Sequence, residues 1–137
     1  MPETLLDLVQ ALRGGPEVHL VVSAPSGVLG PGWHVTELRR HRTATLGCDG
    51  IQGARQTAEI ELMAGGGRPL TPARLLAILE RGAEAMPSLG DLPLRVAAAP
   101  DGALQSYRVA GIEGATLRLE PLGPACPGRV RTGCCAA

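Results

Sequence analysis

A chain of 137 residues, 45% of them hydrophobic, has the size and composition of one globular domain and can bury a core without disulfide staples. Its 13 basic and 13 acidic residues cancel, and with one Trp, one Tyr and no Phe it offers neither net positive charge nor an aromatic platform to a nucleic acid. No run of 18 apolar residues occurs, so no membrane partner is expected.

The first predicted element is a short amphipathic helix in TLLDLVQALRGG, where Leu5, Leu8, Val9 and Leu12 form one stripe and Gly14 gives a stop. EVHLVVS (17–23) reads as a strand and APSGVLGPG (24–32) as a Gly/Pro loop. WHVTELRR and TATLGC read as two strands joined by a tight turn near His41, which the turn leaves in solvent. QTAEIELMA (56–64) alternates with period two: Ala58, Ile60 and Leu62 take one face, Glu59 and Glu61 a solvated one. GGGR (65–68) lacks the Lys-Ser/Thr of a phosphate loop and reads as a flexible linker.

PLTPARLLAILERGAEAMP is the clearest helix, capped by Thr71 with Pro72 at its first position. Leu75, Leu79, Gly82 and Met86 share its face, and Pro87 ends it. LPLRVAAA (92–99) reads as a strand, and QSYRVAGI with ATLRLEP as a hairpin around Glu113-Gly114. The pattern predicts an α+β domain over residues 1–121 with a mostly antiparallel sheet of about six to seven strands and two helices. A Gly/Pro/Cys-rich C-terminal tail follows over 122–137.

Side-chain chemistry collects in two places. In GWHVTELRRHRTATLGC, a hairpin turning at residue 41 sets His34 opposite Cys48 on one face, within reach of a shared metal ion or a thiolate–imidazole pair. The plainer reading of the pair is a packed histidine and a buried thiol. Two ligands do not make a zinc site, and His19 is the nearest third ligand by type, with nothing in the sequence to bring it there. In the tail, Cys126, Cys134 and Cys135 lack the spacing of a zinc ribbon but suit a soft ion that takes three sulfurs, such as trivalent arsenic or antimony, ahead of zinc. Arg129 and Arg131 between them favour thiolates. The alternatives are incidental cysteines in a disordered tail, or a disulfide from Cys126 to Cys134 or Cys135.

GWHVTELRR, CDG (48–50), AEIELMA, RPLTPARLLAILERG, DLPLRV and the tail ACPGRVRTGCC resemble, in order and spacing, an uncharacterised bacterial family, domain of unknown function 6428. The resemblance implies no activity; it implies an association with arsenic-resistance gene neighbourhoods. Trp33 stands where the resemblance implies Phe or Tyr, and Cys134-Cys135 add a thiol.

Three functions follow as expectations. The leading one is a small thiol protein that binds or handles a soft metal or metalloid. The second is a non-catalytic module that dimerises or docks to a protein partner through an exposed sheet face. The third, an enzyme with Cys48 as nucleophile and His34 as base, is the least favoured, because no nucleophile elbow, phosphate loop or HExxH occurs. With no basic segment and apolar run at the start, a secretory leader is not expected and a cytoplasmic location is.

Overall fold

The computed structural model describes residues 1–28, 32–65, 68, 70–100 and 102–123. Helix α1 is Leu5–Leu12, and its buried residues are the predicted stripe, Leu5, Leu8, Val9 and Leu12. Thr4 and Asp7 form a capping box at its start: the Thr4 hydroxyl accepts from the Asp7 N–H, and the Asp7 carboxylate accepts from the Thr4 N–H. Gly14, at φ 73°, turns the chain away just after the helix. Helix α2 is Pro72–Ala85, capped by the Thr71 hydroxyl on the Arg74 N–H, with Leu75 and Leu79 buried. A short 3₁₀ turn at Leu89–Asp91 follows it.

The strands are β1 Val21–Ala24, β2 Gly27–Val28, β3 Trp33–Leu46, β4 Gln52–Ala64, β5 Leu94–Ala98, β6 Gln105–Glu113 and β7 Thr116–Pro121. They form one seven-stranded sheet in the order β2-β1-β7-β6-β5-β4-β3. Four junctions are antiparallel; β1–β7 and β4–β5 are parallel, the latter because α2 carries the chain back across the sheet. The α+β prediction holds, with a mixed and mostly antiparallel sheet.

Paired residues share a face, so the register fixes the layers. Leu38 pairs with Ile60, Ile60 with Val96 and Val96 with Tyr107, and this face meets the helices. A Cβ at Gly82 of α2 would overlap Leu38 Cδ1, so the missing side chain sets how closely α2 approaches β3. The core is aliphatic apart from Trp33 and Tyr107. The opposite face carries Glu59, Glu61, Arg39 and Arg95, and no helix among the described residues covers it.

Three expectations need correction. The strand expected at 17–23 is confined to Val21–Ala24. The predicted loop at 24–32 contains β2, which pairs back onto β1 across Pro25-Ser26. The turn predicted at His41 does not exist: β3 runs unbroken from Trp33 to Leu46, and His41 lies opposite Thr57. The true turn is Gly47–Gly50, held by the Gly47 N–H to Ile51 C=O bond at 2.9 Å and the Ile51 N–H to Asp49 Oδ1 bond at 3.0 Å, with Gly50 at φ 79°. Asp-Gly is among the strongest short hairpin signals, and it places the turn at Asp49-Gly50 rather than near His41.

Candidate functional site

The predicted His34–Cys48 pair is not formed. His34 lies opposite Met63 near the start of β3, and Cys48 lies in the turn beyond its far end. The strand between them spans about 40 Å at ~3.3 Å per residue. Cys48 is exposed, and His19 is exposed ahead of β1. Among the described residues no three His, Cys, Asp or Glu side chains come together in a way that could hold a metal. Cys126, Cys134 and Cys135 lie outside the described residues.

The unbroken β3 assembles instead an ionic network on the open face of the sheet. Arg39 donates to Glu59 Oε1 from Nε at 2.9 Å and from Nη2 at 2.5 Å, to Glu61 Oε1 at 3.2 Å, and to Glu37. His41 Nε2 lies 3.0 Å from the same Glu59 oxygen, and the Thr36 hydroxyl donates to Glu61 Oε2. Burial pushes the Glu59 carboxyl up, but hydrogen bonds from His41 and Arg39 outweigh it and hold it below its usual range. The Thr36 hydroxyl and Arg39 hold Glu61 low as well. The Glu59 hydrogen bond leads in raising the Arg39 guanidinium above its usual value. Carboxylates held low and supplied with donors are charged at neutral pH, and this cluster ties β3 to β4 across the open face. Sequence reasoning placed Glu59 and Glu61 on one face but did not bring Arg39 and His41 to them, because a turn near His41 would fold the first half of β3 onto its second half instead of onto β4.

The second feature is a β-arm. β5 pairs with β4 only over Ala58–Glu61, so over residues 42–56 the strands β3 and β4 continue, among the described residues, as a two-stranded ribbon. Over residues 42–56 no residue is buried. Near its tip Leu46 is 70% exposed and Ile51 44%. β3 is also a sheet edge, and at 14 residues it is far longer than the two-residue β2 that forms the other edge. Proteins guard long edges with bulges and charges. β3 has a bulge between Val35 and Glu37 and charged or titratable groups at Glu37, Arg39, Arg40, His41 and Arg42. It has neither over Thr43-Ala44-Thr45-Leu46, an uncharged edge in which two of the four residues are β-branched threonines.

No helix among the described residues is long and apolar enough to cross a membrane. The chain matches no family model, no curated protein and no solved structure.

Proposed function

We propose that this chain is a non-catalytic interaction module, cytoplasmic, that forms a homodimer through its β-arm. The observation that carries the reading is the unguarded edge Thr43–Leu46 on a ribbon in which no residue over 42–56 is buried among the described residues. An isolated two-stranded ribbon is marginal in water, and a third strand on its free edge supplies the missing hydrogen bonds and side-chain cover. A second copy fits that edge by charge. In an antiparallel pairing with its two-fold axis at Ala44, Thr43 faces Thr45 of the partner subunit and Arg42 faces Leu46 of the partner subunit. No like charges meet there, whereas a two-fold at Arg39 or Arg40 stacks arginine on arginine. The chain's formal charge of zero adds no repulsion between copies.

The test is molar mass by light scattering across a concentration series. Wild type should approach twice the chain mass, and Ala44→Lys/Leu46→Lys should stay at one chain mass with wild-type secondary structure by circular dichroism, because both sites are exposed. A wild type that stays at one chain mass at all concentrations overturns the reading. The thiol reading is a separate proposal that rests on the cysteine pattern of the tail alone.

A further inference from the structure

At the other end of β3 from the arm, a cleft of about 620 Å³ opens between the strand ends of β3 and β4 and the first turns of α2. Its charged or titratable lining is basic throughout: His34, Arg68 and Arg74. No carboxylate lines it, and neither arginine has an ion-pair partner among the described residues. The remaining wall is apolar and includes Val35, Leu70 and Ile78.

A second observation comes from His34. Among the described residues it carries the one buried side-chain nitrogen or oxygen that has no hydrogen-bond partner, its Nδ1. Buried polar atoms are nearly always satisfied, so an orphan beside a cleft marks a place where a partner is missing. Guanidinium groups match the geometry of carboxylate and phosphate oxygens, and an apolar wall takes a hydrocarbon body.

We propose that this cleft binds a small organic anion, an oxyanion group on an apolar body, with Arg68 and Arg74 on the oxyanion and His34 completing its hydrogen bonds. The test uses octanoate as probe, with acetate and octanol as controls for charge alone and apolar surface alone. Titration calorimetry should show saturable octanoate binding that weakens about tenfold in Arg74→Gln, an exposed site whose change leaves the fold intact. The His34 ring resonances should shift with the same saturation curve, and Arg68→Gln should weaken binding independently. Acetate or octanol binding as tightly as octanoate overturns the proposal, as does octanoate binding that is unaffected by Arg74→Gln and Arg68→Gln together. Absence of octanoate binding overturns it too.

Discussion

Arg39 is the residue on which the open face turns. Three carboxylates converge on it, and Arg39→Ala leaves Glu37, Glu59 and Glu61 facing one another without their shared cation. The loss should be about 1–3 kcal/mol, the range for hydrogen bonds to charged groups, measured by urea melts at pH 7. The pH dependence has a definite sign. Glu59 and Glu61 have folded-state pKa values below their ordinary ones, so their stabilisation is complete above the carboxylate range and is lost as pH falls through the depressed values. Wild-type melting temperature should be flat from about pH 7 to about pH 5 and fall below about pH 4. In Arg39→Ala that fall should be shallower, since protonation then relieves repulsion. A variant that tracks wild type in parallel through this window would mean that the arginine does not hold the carboxylates. The alternation in AEIEL showed that Glu59 and Glu61 share a face. It could not show their partner, because which strand lies beside them depends on where β3 turns.

At the scale of elements, the helices were the most legible part. Both buried stripes and the Thr71 cap follow from the sequence, because an amphipathic helix writes its own contacts at i, i+3 and i+4. Leu75→Ala or Leu79→Ala should cost roughly 2–5 kcal/mol in denaturant melts, since both side chains are fully buried beneath the sheet. A loss under about 1 kcal/mol would contradict that packing. Gly82→Ala sets two effects against each other. Alanine gains about 1 kcal/mol of helix propensity, and the new Cβ displaces Leu38 Cδ1, the free end of a half-buried side chain, at about 0.5–1.5 kcal/mol. The net change should lie within about 1 kcal/mol of zero; a loss above about 2 kcal/mol would show that Leu38 cannot yield.

The arm was not legible, for a physical reason. Strand assignment by alternation needs one face buried, and residues 42–56 have no buried residue, so their charges and threonines carry no period. What remained was local turn chemistry, and Asp49-Gly50 is a stronger turn signal than anything near His41. With the turn moved from His41 to Gly47–Gly50, the His34–Cys48 site dissolves and the ionic network and the arm take its place.

For the whole molecule, the α+β class followed from the order of elements, while the strand order did not. The β1–β7 pairing joins segments almost a hundred residues apart, and no local pattern encodes it. The tail thiols make a prediction of their own. Reduced protein should bind one trivalent arsenic with proton release, and Ser at Cys126, Cys134 and Cys135 together should abolish binding without changing the melting temperature. Calorimetry showing equal affinity in the two proteins would contradict the thiol reading and leave the dimer untouched.

The dimer proposal stands most directly on the free edge of the arm, and amide hydrogen exchange reads that edge residue by residue. In one copy the outward N–H groups within Thr43–Leu46 face water and exchange quickly; in a β3–β3 pairing they are bonded and protected. Protection within Thr43–Leu46 should rise with protein concentration, and Ala44→Lys/Leu46→Lys should remove that rise. Fast exchange there at every concentration, or a concentration-dependent protection confined to β2 or the helices, would contradict the account.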